Sequence, residues 1–294
     1  MKKNITFVVN PISGARDKSA IKRYIDERID KDIYNIQMMM TEYAGHATEI
    51  ASHEREKGTD IVVAVGGDGT VNEIGRALVD SNTAMGIIPC GSGNGLARHL
   101  HIPMNVPKAI DIINGGNVQS IDYGRINNLP FFCTCGVGFD ASISMDFAKK
   151  KTRGFVTYIE TTLMDYLRYK PETYNITTEN EEQEYKAFLI TVGNASQYGN
   201  NAYIAPNASL MDGLFDVIVL TPFNIYDVPV LAYRLFTKKM EDDAHIIKFR
   251  CKHLTIKRAQ PGSAHFDGEP YEMDSTIDIQ MFSKCLRVVI PHFI

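Results

Sequence analysis

Apolar and polar positions split this chain into two unlike halves. In the first, short apolar runs at residues 5–9, 34–40, 61–65 and 85–88 read as strands. Two of them, Ile61-Val62-Val63-Ala64-Val65 and Met85-Gly86-Ile87-Ile88, are nearly continuous, as in strands covered on both faces. Between the strands the spacing turns helical. Residues 17–29 place Ala20, Ile21, Tyr24, Ile25 and Ile29 on one face. Residues 47–57 form a second helical stretch closed by Gly58, and further helices are expected over 71–79, 96–100 and 106–114, the last stopped by Gly115-Gly116. Alternating strands and helices imply a mostly parallel sheet with helices on both sides.

The rhythm changes after about Ile121. Residues 131–137, 174–178, 186–192, 214–220, 246–250, 253–258, 276–281 and 286–290 read as strands, many with no helix between them, which predicts an antiparallel sandwich or barrel. Helical segments interrupt at 154–169, where Phe155, Tyr158, Ile159, Thr162, Leu163, Tyr166 and Leu167 cluster, and at 225–236. The acidic run 179–184 fits a solvated hairpin tip. The expected organisation is an α/β domain over 1–125 and a β-rich domain over 126–287, with a soft boundary at 122–130 and a cleft between them as the natural place for a reaction.

With 294 residues, 44% of them hydrophobic, either one large domain or two ordinary ones can bury a core. The net charge of −4 makes nucleic acid a poor partner. The five cysteines are scattered, and Cys133-Thr134-Cys135 has no second pair at zinc spacing, so they read as reduced thiols. Met1-Lys2-Lys3 and the apolar run after it resemble the start of a signal peptide, but the run is too short and reads better as the first buried strand. No segment has the apolar length of a membrane span, and the expectation is a cytoplasmic protein that at most touches a membrane surface.

The chemistry gathers at glycines. Gly66-Gly67-Asp68-Gly69-Thr70 and Gly91-Ser92-Gly93-Asn94-Gly95 each follow a buried strand and run into a helix. A strand, a glycine turn and a helix N-terminus together make a phosphate site, because free N–H groups and the helix dipole face the anion. Asp68 is out of place beside a phosphate, and a metal ion or a proton transfer would resolve the repulsion; alternatively Asp68 is a helix N-cap. Ser92 and Asn94 are able to donate to phosphate oxygens. The lysine of a Walker loop is missing, and so is the third glycine of G-x-G-x-x-G, which disfavours a dinucleotide oxidoreductase. Asn10-Pro11-Ile12-Ser13-Gly14, with Arg16 behind it, is either a third phosphate loop or an ordinary βα connection. In the second half, Asp267-Gly268-Glu269 is either a plain turn or a pair of carboxylates for Mg²⁺ or a hydroxyl proton. Met211-Asp212-Gly213 likewise is a hairpin or a holder of a structural cation. The aromatic stripe of 154–169 is core, or else Phe155, Tyr158 and Tyr166 line an entry for an apolar substrate.

Taken in order, Asn10-Pro11-x-Ser13-Gly14, Gly66-Gly67-Asp68-Gly69-Thr70-x-Asn72-Glu73, Gly91-Ser92-Gly93-Asn94-Gly95-Leu96-Ala97-Arg98, Gly136-Val137-Gly138-Phe139-Asp140, Met211-Asp212-Gly213 and Asp267-Gly268-Glu269 resemble the diacylglycerol kinase / sphingosine kinase family of lipid kinases. The resemblance runs from residue 4 to about 290; the G-G-D-G element alone is shared with NAD kinases and phosphofructokinases. It implies a phosphofructokinase-like N-terminal α/β domain and a C-terminal β-sandwich, with the last strand, near residues 288–292, returning to the first domain. It implies ATP at Asn10, Pro11, Ser13, Gly14, Thr41, Gly66, Gly67, Asp68, Gly69, Thr70, Asn72, Ser92, Gly93 and Asn94, and Asp68 acting near Mg²⁺ and the γ-phosphate. Glu269 would accept the proton of the lipid hydroxyl, with Asp267 as its rival, and Ser209, Asp212 and Leu214 would match a structural Mg²⁺ site. Bacterial diacylglycerol kinases usually carry G-T-x-N-D-x-A-R at the second loop. Here it reads G-S-G-N-G-L-A-R, closer to sphingosine and ceramide kinases, which brings long-chain amino alcohols in beside diacylglycerol.

Two rivals share these features. An NAD kinase also phosphorylates a hydroxyl with G-G-D-G, but on a water-soluble substrate. A non-catalytic regulator would bind ATP and be indifferent to Asp68. For membrane contact, Lys149-Lys150-Lys151-Thr152-Arg153 ahead of the aromatic helix would rest on anionic lipid, or would form a solvated loop. A homodimer is compatible with the chain but nothing in the sequence argues for one.

Overall fold

A computed structural model describes residues 2–14, 18–139, 141 and 169–292. The expectations placed on Arg16, Asp140, the basic run 149–153 and residues 154–168 of the aromatic helix lie outside the described residues. The chain divides into two compact units: residues 1–123, 199–201 and 283–294, and residues 124–198 and 202–282.

The first unit is built on four parallel strands, β1 (Lys3–Val9), β2 (Tyr34–Met40), β3 (Ile61–Gly66) and β4 (Ala84–Pro89), in the order β2-β1-β3-β4. Every residue of β3 and β4 is buried, which is why their sequences are unbroken apolar runs. Helices α1 (Lys18–Arg28), α2 (His46–Glu56), α3 (Asp68–Leu78), α4 (Gly95–His99) and α5 (Val106–Gly115) connect the strands. In α1 the expected face is the buried one, with Ile21 and Ile25 in the core. The ends of α5 follow local chemistry. Asn105 caps it by accepting from the Lys108 amide, Pro107 sits in its first turn, and Gly116, at φ 62°, stops it. Glu54 of α2 is buried and accepts from the hydroxyls of Thr6 (2.7 Å) and Thr59 (2.8 Å) and from Lys57 Nζ (2.9 Å), which ties the helix to β1.

The second unit is a β-sandwich. One layer pairs β8 (Glu172–Thr178), β9 (Glu182–Ala187), β13 (His253–Arg258) and the first part of β16 (Thr276–Val289). The other runs β12 (Ile246–Cys251), β11 (Phe215–Leu220), β10 (Leu189–Gly193), β7 (Thr134–Gly138), β14 (Gly262–Phe266), β15 (Glu269–Met273), all antiparallel. Tyr174, Ile176, Leu254 and Ile256 from the first layer share one core with Val137, Ile190, Phe215 and Val217 from the second. β5 (Val118–Ile126) carries the chain into this unit, and its end forms a hairpin with β6 (Leu129–Phe131). Helix α6 (Val228–Phe236) follows a short 3-10 turn at Ile225–Asp227. The second part of β16 belongs to the first unit, where Val288 lies opposite Met85 of β4.

Sequence and structure differ where a strand changes partner without a polar break. Residues 186–192 look like one strand but form the end of β9 and most of β10, because the chain turns at Phe188 within an apolar run. Residues 131–137 similarly divide between β6 and β7. Conversely, 276–281 and 286–290 are one strand, with Lys284 at φ 59° as an interruption that the pairing survives. The five cysteines are free thiols, and burial pushes the Cys251 thiol up to about 12.

Candidate active site

In a parallel sheet of order β2-β1-β3-β4, ligands bind beyond the carboxyl ends of the strands where the connections diverge, which here is between β1 and β3. The three glycine-bearing loops lie there, one after each of β1, β3 and β4.

The loop after β1 is anchored by Asn10. Its amide donates to Val65 O (3.0 Å), its Nδ2 to Thr70 Oγ1 (3.1 Å), and its Oδ1 accepts the amide of Ile12 (3.1 Å). Gly14, at φ 63°, lies against the loop after β4: a Cβ there would fall 1.9 Å from the carbonyl oxygen of Cys90. Pro11 and Ile12 are exposed and Ser13 Oγ donates back to Asn10 O. Thr41, buried at the end of β2, donates its amide to Val9 O (2.9 Å).

The loop after β3 is shorter than the sequence suggests. Helix α3 begins at Asp68, so Asp68, Gly69 and Thr70 form its first turn, where amides have no partner within the helix. Asp68 caps another helix. Its Oδ2 accepts the amide of Asn94 (2.8 Å) and its Oδ1 that of Gly95 (2.7 Å), at the start of α4. Burial raises the carboxyl from its ordinary value, against the lowering by those amides and by Arg98. The glycines permit this contact between loops. A Cβ on Gly91 would lie 2.7 Å from Gly67 Cα, and one on Gly93 would lie 2.6 Å from Asp68 Oδ2.

The loop after β4 is closed by Asn94, at φ 53°. Its Oδ1 accepts from the amide of Gly91 (3.1 Å), and its Nδ2 donates to Gly91 O (2.7 Å). Ser92 is exposed at the tip. Sequence reasoning missed two supports. Gly199, Asn200 and Asn201 all have positive φ, and the Asn200 amide donates to Gly93 O (3.0 Å). Arg98 donates through Nε to the same oxygen (2.9 Å) and through Nη1 to Asn201 Oδ1 (3.2 Å). Glu73 is the other missed member: its carboxylate accepts the amides of Gly45 (3.0 Å) and Ala47 (3.1 Å) at the start of α2. At the start of α2, the ring of its first residue His46 stacks on that of Tyr43 at 4.5 Å.

In the second unit, Asp267 and Gly268 join β14 to β15 with φ 47° and 81°, a turn with both central residues left-handed. The Asp267 carboxylate is fully engaged. Oδ2 accepts the Phe132 amide (2.9 Å), and Oδ1 accepts the amides of Cys133 (2.7 Å) and Thr134 (3.3 Å). Glu269, the first residue of β15, is exposed. At the far end of this hairpin, Arg258 donates to the carbonyls of Gly262 (2.5 Å), Ser263 (2.8 Å) and Met273 (2.7 Å).

Ser209, Asp212 and Leu214 do not fit the structural cation expected of them. Asp212 Oδ1 accepts the amide of Leu214 (3.2 Å), and Oδ2 is ion-paired with Arg250, whose Nε also stands 3.3 Å from Asp216 Oδ1. Ser209 Oγ accepts the Met211 amide (3.3 Å). The guanidinium already supplies the positive charge there. Among the described residues no group of three or more His, Cys, Asp or Glu is placed to hold a metal. Glu269 and Asp267 are thus brought to one turn, and Asn10, Gly14, Gly66, Gly67, Asp68, Gly93 and Asn94 to one set of loops.

Residues 4–126 match the family described as diacylglycerol kinase catalytic domain, and residues 133–290 match the YegS C-terminal NAD kinase beta sandwich-like domain. The chain is 30% identical over 263 residues to the protein named probable lipid kinase YegS of Escherichia coli O127:H6 (strain E2348/69 / EPEC), covering 87% of this chain and 86% of that one. The protein of the same name from Shigella boydii serotype 18 (strain CDC 3083-94 / BS512) is equally similar, at 30% over 263 residues with the same coverage. A solved structure titled as a diacylglycerol kinase from Bacillus anthracis str. Sterne has the same fold, with a TM-score of 0.78 at 20% identity over 99% of this chain and 97% of that one.

Proposed function

The chain belongs to the diacylglycerol kinase family of ATP-dependent lipid kinases that includes YegS, and from that premise we propose that it transfers the γ-phosphate of ATP to the primary hydroxyl of a membrane lipid, diacylglycerol or a sphingoid base. The observation that carries the reading is the convergence of the loops after β1, β3 and β4 at the carboxyl ends of the parallel strands, packed so closely that only glycine fits at Gly14, Gly91 and Gly93.

Phosphoryl transfer asks little covalent work of a protein; positioning and charge neutralisation dominate. The first turn of α3, which contains Thr70, directs toward phosphate oxygens amides that have no partner within the helix, with Asn72 following. Asp68 holds the Gly91–Gly95 loop against that turn, so the phosphates meet a preformed cradle. Asp68 is the carboxylate at the loop after β3, so it would be the group to hold Mg²⁺ carried by ATP, which would supply neutralisation of phosphate charge. Glu269 takes the proton of the attacking hydroxyl. Asp267, held by backbone amides on both oxygens, keeps the turn that presents Glu269 and is not the base.

The test is to incubate purified protein with Mg²⁺ and γ-labelled ATP against diacylglycerol, sphingosine, sphinganine, ceramide and NAD. Label in a lipid is the expected result and identifies the acceptor. Label in NAD alone, or ATP binding without transfer to any acceptor, overturns the reading.

A further inference from the structure

Helix α6 is apolar on both sides. Its inner side buries Leu231 against Met240, with Leu235 and Ile246 packed beside them. Its outer side, with the 3-10 turn before it, exposes Tyr226 (89%), Val230 (49%), Tyr233 (61%) and Phe236 (44%), spaced three or four residues apart along one stripe. A surface helix normally turns charge outward; one with large apolar groups on its outer side implies a non-aqueous neighbour.

The charges around the stripe indicate which neighbour. Several carboxylates at this end are already matched: Asp243 by Arg234 (2.7 Å), Glu241 by Lys248 (2.8 Å), and Asp227 by the amide of Asn224 (2.9 Å) with His245 Nε2 at 3.9 Å. Lys238 and Lys239 follow the stripe directly and are exposed, with Asp242 the exposed acid close by in sequence. Lys238 Nζ lies over the Tyr203 ring at 4.6 Å, a position that keeps its charge at the surface. Tyrosines with an apolar ring and a polar tip, aliphatic and phenyl groups between them, and lysines at the margin suit the boundary between acyl chains and anionic headgroups.

We propose that the outward stripe of Tyr226, Val230, Tyr233 and Phe236, with Lys238 and Lys239, is the surface by which this chain lies on an anionic lipid layer. The inference rests on the lipid-kinase reading for its purpose, and its test is separable from that reading.

The chain contains no tryptophan, so a single one reports locally. Tyr233→Trp is expected to shift its emission to the blue on adding phosphatidylglycerol vesicles and not on adding phosphatidylcholine vesicles, with no ATP present. Ile33→Trp, on the first unit, is expected not to shift. Tyr226→Ser/Tyr233→Ser/Phe236→Ser and, separately, Lys238→Glu/Lys239→Glu are expected to co-sediment with phosphatidylglycerol vesicles at least tenfold less than wild type, with the same melting temperature and the same turnover of lipid in detergent micelles. An unshifted Tyr233→Trp, or vesicle binding unchanged in both variants, overturns the surface. A wild-type dimer in sedimentation velocity that the triple-serine variant dissolves, with vesicle binding intact, assigns the stripe to a second copy of the chain and also overturns it. Vesicle binding lost in the variants, in a protein that phosphorylates no micellar lipid, supports the surface and removes the kinase reading instead.

Discussion

Three carboxylates read alike in the sequence and stand in different surroundings. Asp68 and Asp267 each spend both oxygens on backbone amides, whereas Glu269 is exposed at the start of β15. Their substitutions therefore separate. Asp267→Asn turns an amide NH₂ toward donors and is expected to cost about 1–3 kcal/mol of stability, read by denaturant unfolding. Glu269→Gln is expected to leave stability unchanged and to lower kcat by about 100-fold or more, the scale of a lost general base. Asp68→Asn breaks a contact between two loops, so kcat falls by about 100- to 1000-fold and KM for ATP rises with it. Wild-type turnover in Asp68→Asn would remove that residue from the cradle. The sequence made Asp68 stand out as an acid among glycines, but the N-cap alternative fails for the helix that follows it: Gly67 is the N-cap of α3, and Asp68 instead accepts amides at the start of a different helix. The helix it caps, α4, belongs to another loop, a pairing of residues 26 and 27 positions apart that no local pattern reveals.

At the scale of elements, the loops depend on backbone approach. Gly91→Ala places a Cβ 2.7 Å from Gly67 Cα, which only a shift of backbone relieves. ATP affinity measured by calorimetry is expected to fall at least tenfold, while Gly58→Ala, whose Cβ meets nothing within 4 Å, leaves it unchanged. Glu54 gives a prediction in pH. Burial raises its carboxyl, but hydrogen bonds from Lys57, Thr6 and Thr59 outweigh burial and hold it below 4.5. A depressed carboxyl stabilises the fold above its unfolded value and loses that contribution as pH falls through the folded one. Wild type is therefore expected to lose stability below about pH 4.5, and Glu54→Gln to start lower by about 1–3 kcal/mol and to lose less over that window, followed by thermal melts across pH. The parallel strands β3 and β4 were legible because burial on both faces leaves unbroken apolar runs, and the edge strand β2 and the antiparallel β13 also coincide with their expected bounds. The β14–β15 hairpin was not. Gly262-Ser263-Ala264-His265-Phe266 has no alternation, and Pro270 within β15 reads as a turn residue, although an edge strand tolerates it. The support at 199–201 was equally hidden, since Gly199-Asn200-Asn201 has the composition of any loop and lies far in sequence from the Gly93 carbonyl it holds.

For the whole molecule, the change of periodicity after about Ile121 divided the chain, while the family resemblance located the return of the last strand to the first unit, a feature that periodicity alone does not supply. It also carried over a structural cation that this chain's own residues do not accommodate, because Arg250 lies on Asp212 and beside Asp216. The melting temperature in chelator is accordingly expected to equal that in Mg²⁺ when ATP is absent, and Arg250→Ala to melt lower. A fall in melting temperature on chelation would restore the cation and displace the guanidinium. The most direct test of the central claim sets wild type beside Glu269→Gln, with γ-labelled ATP, Mg²⁺ and the lipid panel in mixed micelles. The account predicts label in a lipid hydroxyl with wild type, a loss of about 100-fold or more with Glu269→Gln, and equal ATP binding by both. Equal labelling by the two proteins, or label in NAD and in no lipid, would contradict it.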